Sequence, residues 1–187
     1  MQIAILIAGL FLQAAAPVAP PHDPGLYYLT PQGLVRIEGH SVSVARSHKK
    51  VPLSGSIPGA GGAKTRAEIL GGHATQVVTA TPVFYYRVPA GQESTGAGDM
   101  VLVKLHAQKR LREFTISTDP EWNASTGVPL QSQVGFNARQ VESGVFRLEP
   151  ADDLDPGEYG FYLFRGRELP GFLYDFSVRD DSKQAGA

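Results

Sequence analysis

The sequence predicts an all-β fold built as an antiparallel β-sandwich, and three observations carry that expectation. The 187 residues include 21 glycines and 14 prolines, a density of breakers that cuts helices short and favours strands joined by turns. About ten short runs of β-branched and aromatic residues recur, with turn signals roughly every eight to fifteen residues. Beyond the N-terminus no stretch holds a convincing helical period, and no internal repeat suggests a propeller or solenoid.

Residues 3–12, IAILIAGLFL, form an apolar run too short to span about 30 Å of hydrocarbon as a helix. Ala14-Ala15-Ala16 follows with small residues at the spacing a signal peptidase reads. Residues 1–16 therefore read as a signal peptide, and the expected location is exported, periplasmic or extracellular. Two features pull the other way: no Lys or Arg precedes the run, and Pro17 follows the best cleavage point. No other stretch approaches eighteen apolar residues, so no membrane span is expected after cleavage. The chain has no cysteine. An exported form must then hold together by packing rather than by disulfides, which fits a bacterial envelope or secreted protein.

The remaining elements follow in order. Residues 17–25, PVAPPHDPG, read as a proline-rich linker. Residues 26–65 read as an N-terminal β-hairpin extension and loop: LYYLT and LVRIE flank Pro31-Gln32-Gly33, and SVSVAR at 41–46 alternates Val42 and Val44 with serines. Residues 66–178 are expected to form the sandwich domain, and 179–187 a disordered tail. Within that domain, MVLVKLHA and LREFTIST flank Gln108-Lys109-Arg110 as a hairpin. Val101, Val103 and Leu105 fall on one face and Lys104 and His106 on the other, while Phe114 and Ile116 alternate with Glu113, Thr115 and Ser117. That is the pattern of a half-buried antiparallel pair. Short strands around Val134–Phe136 and Phe146–Leu148, then Glu158–Phe164 and Phe172–Val178, complete the set.

Leu154-Asp155-Pro156-Gly157-Glu158-Tyr159 is L-x-P-G-x-Y entering an aromatic strand. It resembles the turn before the penultimate strand of fibronectin type III and immunoglobulin-like domains, where the tyrosine hydroxyl bonds back to the backbone in a tyrosine corner. The resemblance implies an immunoglobulin-like/fibronectin-like sandwich with Leu154, Pro156, Gly157 and Tyr159 as its structural corner. The residues suit that role: Pro156 sets φ, Gly157 can take φ > 0, and Tyr159 then faces inward with Phe161 and Leu163. More widely, G-L-Y-Y-L, P-V-F-Y-Y, P-G-E-Y and a closing Y-D-F are similar to a group of uncharacterised exported bacterial proteins. This implies fold and compartment and leaves activity open.

Several chemistries find no support. A formal charge of −1 supplies no basic footprint for nucleic acid. The stretch Gly59–Thr65 lacks the glycines of a phosphate loop, because Pro58 and Ala63 stand in their places. Glu149, Asp152, Asp153, Asp155 and Glu158 crowd one segment, but counted from Asp153 the EF-hand positions fail at Gly157 and Glu158. His22, His40, His48, His73 and His106 show no ligand spacing, and no serine sits in G-x-S-x-G. No metal and no cofactor is expected. Asn123-Ala124-Ser125 matches the glycosylation sequon, which a bacterial source would leave silent.

Two features point to a partner. Lys104, Lys109, Arg110 and Arg112 give the 104–112 hairpin a basic tip, suited to an anionic ligand or to keeping an edge soluble. The strands 83–88 and 158–164 carry aromatics on both faces. Residues 26–46 are expected to fold back over part of the second face; the alternative is that Tyr85, Tyr162 and Phe164 form a candidate ligand surface. The sequence thus reads as an exported β-sandwich protein acting as a binding or assembly module in the bacterial envelope, with an envelope protein or a polysaccharide as partner. The alternative is a small secreted hydrolase or carbohydrate-active protein with a dispersed site; no catalytic residue can be named from sequence.

Overall fold

Alternating apolar residues form strands here because a pleated chain sends successive side chains to opposite faces. A computed structural model describes residues 19–46, 65–91, 96–116, 127–164 and 171–179. The segment 1–16 expected to be a signal peptide, most of the expected loop at 47–65, Trp122, the 123–125 sequon and the tail after Arg179 lie outside the described residues. The strands are β1 (Gly25–Thr30), β2 (Gly33–Ile37), β3 (Gly39–Ser41), β4 (Ser43–Arg46), β5 (Thr65–Leu70), β6 (Val77–Val78) and β7 (Phe84–Arg87). They continue with β8 (Met100–Ala107), β9 (Leu111–Ile116), β10 (Gln133–Val134), β11 (Phe136–Glu142), β12 (Val145–Pro150), β13 (Gly157–Leu163) and β14 (Phe172–Val178). Among the described residues the helical content is a single 3-10 turn at Leu130–Ser132.

The fold is all-β with antiparallel sheets. A five-stranded sheet runs β11-β12-β7-β1-β2. A second, nine-stranded sheet runs β3-β14-β13-β8-β9-β5-β4, with β10 beside β8 and β6 beside β14. Between the sheets lies a first core, where Leu26, Tyr28, Phe84, Tyr86 and Leu148 meet Leu102, Tyr159, Phe161 and Phe176. Phe84 is its hub, with ring centroids 5.2 Å from Phe161 and 4.9 Å from Phe176.

A second core lies on the far side of β8, β13 and β14. Val101, Val103, Leu105, Tyr162 and Leu173 pack there against Ala67, Ile69, Phe114, Ile116 and Val42. The 100–118 pair does not behave as a simple half-buried hairpin. β8 and β9 pair only at His106↔Glu113 and Ala107↔Arg112, beside their connection. Beyond that point β8 follows β13 while β9 runs the full length of β5. The sheet therefore curls over, and β8 is covered on both faces: Met100 and Leu102 enter the first core, Val101, Val103 and Leu105 the second.

Residues 26–46 divide: β1 and β2 do not lie over a second aromatic face, whereas Val42 and β4 join the layer that covers Tyr162. β1 pairs with β7 edge to edge, with Leu26↔Tyr86 and Tyr28↔Phe84 in register, so β1 and β2 extend the five-stranded sheet itself. From this segment Val42 is the residue that enters the second core. Cover for the second face of β13 comes mainly from β5 and β9. The reason is backbone demand: the edge of β7 needs hydrogen-bond partners as much as its side chains need cover.

Candidate functional site

The three aromatics expected to share a ligand surface lie in different layers. Tyr162 is 0% exposed, set edge-on to Phe114 with centroids 5.1 Å apart. Its hydroxyl accepts a hydrogen bond from the Gly171 N–H at 3.2 Å. Burial pushes its pKa up, against the opposing pull of that hydrogen bond. Phe164 is half-buried against the same second core. Tyr162 thus offers no surface to a ligand, because the curled sheet covers the face the strand pattern left open. Only Tyr85 lies on a solvent-facing sheet surface.

The basic tip is also divided. Arg112 is 4% exposed and turned inward, and Lys104 sits 3.7 Å from Asp155 with its ammonium 5.4 Å from the Tyr159 ring centre. Lys109 and Arg110 are exposed at the β8–β9 connection, and Lys104 is exposed on β8.

Arg112 belongs to a buried polar cluster at one end of the second core. Its Nη1 pairs with Asp175 and lies 3.6 Å from Glu158 Oε2. Its Nε donates to the Gly71 carbonyl at 2.9 Å, and Nη2 to the Leu70 carbonyl at 3.3 Å. Glu158 accepts from the Ala74 N–H at 2.8 Å and from Ser177 Oγ at 2.7 Å. Two histidines close the rim: His73 Nδ1 is 3.0 Å from Glu158, and His40 Nε2 is 3.2 Å from Asp175. Glu158 and Ser177 are cross-strand partners, and Asp175 faces Gly160, so β13 and β14 deliver the acids in register.

This cluster looks like hydrolytic machinery by composition but not by order. A serine nucleophile needs the imidazole on its hydroxyl and the carboxylate behind the ring. Here Glu158 stands between Ser177 and His73, so the histidine cannot take the serine proton. Among the described residues no group of three or more His, Asp or Glu is arranged to hold a metal, and no buried side-chain nitrogen or oxygen lacks a partner. The cluster instead satisfies a charge that the β8–β9 corner buries, at a desolvation cost that the four contacts of Arg112 offset.

The open surface is the outer face of the five-stranded sheet. Leu26, Tyr28, Phe84, Tyr86 and Leu148 turn inward, which sends the residues between them outward. Register then aligns one row across all five strands: Arg36↔Tyr27, Tyr27↔Tyr85, Tyr85↔Arg147 and Arg147↔Arg139. Tyr27 and Tyr85 are half-buried and adjacent at the centre, with arginines at both ends. Tyr27 is held by its hydroxyl, which donates to the Asp23 carbonyl at 3.0 Å. Arg36 Nη2 donates to the Pro24 carbonyl at 3.3 Å, and Arg147 Nη2 pairs with Glu149 at 2.9 Å. In each case one nitrogen is engaged, and a guanidinium carries five N–H donors.

Sequence reasoning found Tyr85 but missed Tyr27, Arg36, Arg139 and Arg147. One signal was available. Asp23-Pro24-Gly25-Leu26-Tyr27 repeats the D-P-G-x-Y pattern of Asp155-Pro156-Gly157-Glu158-Tyr159. No protein-family model, curated protein or solved structure matches the chain.

Proposed function

We propose that the protein is an exported binding or assembly module of the bacterial envelope, and that it meets its ligand with the outer face of the five-stranded sheet. The observation that carries this reading is the paired Tyr27–Tyr85 surface at the centre of a five-strand row. Two tyrosines at directly opposed strand positions, half-buried outside the core, offer apolar contact area with polar tips, the chemistry favoured at binding surfaces. Export rests on the Ile3–Leu12 run ahead of Ala14-Ala15-Ala16. The same reading takes the fold as a relative of immunoglobulin-like and fibronectin-like sandwiches. Two facing sheets and the Tyr159 hydroxyl donating to the Asp155 carbonyl at 3.0 Å support it; the curled second sheet is a departure.

The test is co-sedimentation of the purified protein with an envelope fraction of its host, comparing the native chain with the Tyr27→Ala/Tyr85→Ala double variant. The expected result is a loss of about tenfold or more in apparent affinity. Circular dichroism should show the variant folded, because neither ring enters the core. Equal co-sedimentation of the two chains overturns the reading.

A further inference from the structure

We infer that the ligand of this face is an acidic polysaccharide, laid across the strands with sugar rings on Tyr27 and Tyr85 and carboxylates at the flanking arginines; this rests on the binding-module reading above. The first support is geometric. Neighbouring strands lie about 4.8 Å apart, so the directly opposed backbone positions of Tyr27 and Tyr85 are separated by about one pyranose unit. The row runs across the strands, because each pair is in direct register, and it follows the twist of the sheet. Pyranose faces carry C–H groups that pack on aromatic rings, while ring-edge hydroxyls remain available to the polar tips.

The second support is charge. The row holds three arginines and no acid; Glu149 and Glu142 lie in neighbouring rows, each already on an arginine, Arg147 and Arg87 respectively. Arg36 stands about three strand spacings, or about 14 Å, from Arg147, with both tyrosines between them. Guanidinium groups bind carboxylates through paired N–H donors, and this arrangement places them where the acidic substituents of a chain crossing the tyrosines would fall.

Other classes fit less well. A peptide adding to a sheet uses an edge, where backbone groups are unpaired, whereas the centre of this row lies on the outer face of strands paired on both sides. A membrane surface is engaged by protruding apolar side chains. The exposed large hydrophobics among the described residues, Val35, Val44, Leu70, Leu130 and Val141, are all outside the row.

The experiment uses polygalacturonate, its fully methyl-esterified form and poly-glutamate as probes, titrated into the full mature chain by calorimetry. Polygalacturonate is expected to bind, the neutral ester about tenfold more weakly, and poly-glutamate more weakly still. Arg36→Gln/Arg147→Gln should reduce polygalacturonate binding about tenfold and flatten its dependence on salt, while thermal melts stay within a few degrees. Equal binding of acid and ester overturns the anionic assignment. Equal binding of poly-glutamate and polygalacturonate overturns the glycan assignment. If neither polymer binds while the tyrosine-dependent envelope interaction persists, the glycan is wrong and the binding face stands. If that interaction is also absent, both readings fall.

Discussion

Two five-residue segments share a grammar and differ in what it is worth. Asp23-Pro24-Gly25-Leu26-Tyr27 enters β1, and Asp155-Pro156-Gly157-Glu158-Tyr159 enters β13. In both, the tyrosine hydroxyl donates to the aspartate carbonyl four residues upstream, at 3.0 Å. Local chemistry explains the shared bond. Proline presets the turn and the tyrosine reaches back over it in both; the positive φ that glycine allows is used at Gly25 and not at Gly157. The two segments nevertheless take opposite phases relative to the first core. Tyr159 is 2% exposed and stacked on Phe176 at 6.0 Å, while Tyr27 stands on the outer face and its neighbour Leu26 is buried. At the corresponding position Glu158 points away from that core, into the charged cluster around Arg112. A turn motif therefore sets a local bond, but it does not say which face of its strand will meet a core.

The comparison is tested most severely by truncating each ring. Tyr159→Ala should cost about 3–5 kcal/mol, the usual range for removing a large core side chain, whereas Tyr27→Ala should cost about 1 kcal/mol or less. Chemical denaturation midpoints of the two variants measure the gap. Equal losses would mean that the outer face is covered in solution.

The glycines sharpen the contrast at the backbone. Gly25 has φ +145° and its added Cβ would sit 3.4 Å from Arg36 Nε, so Gly25→Ala is expected to cost about 1–2 kcal/mol. Gly157 has no positive φ, and an added Cβ would meet the flexible Lys104 side chain at 3.3 Å. Gly157→Ala should stay within about 0.5 kcal/mol of the native chain. Thermal melts of the two single variants compare them directly. An equal cost would show that both turns need glycine for the same reason.

The smallest difference isolates the hydrogen bond itself. Tyr159→Phe removes a partly buried bond and should cost about 1 kcal/mol, while Tyr27→Phe removes an exposed one that water replaces, at about 0.3 kcal/mol. Urea titrations of both phenylalanine variants resolve the two values. An unchanged midpoint for Tyr159→Phe would show that the corner contributes nothing beyond packing.

Strand identity and facing were legible in the sequence wherever alternation was strong. Val101, Val103 and Leu105 do share a face, as do Phe114 and Ile116, and Tyr159 shares the first-core face of its strand with Phe161. The candidate site was legible only in part. Tyr85 was visible because its strand is aromatic on both faces, yet Tyr162 showed the same local pattern and proved buried. A strand with two apolar faces states that both need covering or exposing; it does not state which layer will do the covering.

The sequence by itself determined that this chain would form short antiparallel strands, because breaker density and period-two alternation act within a few residues and need no partner. It also determined the turn chemistry of both D-P-G-x-Y segments. Only the tertiary structure decided which strands became neighbours. β9 leaves β8 for β5, and that exchange curls the sheet, buries Tyr162 and draws Arg112 between Glu158 and Asp175. The row Arg36–Tyr27–Tyr85–Arg147–Arg139 arises from two local hairpins, β1–β2 and β11–β12, brought together by two pairings between segments distant in sequence, β1–β7 and β7–β12. Strand pairing is governed by backbone hydrogen bonds that any residue can make, so register emerges from the total burial of all strands together rather than from any one of them.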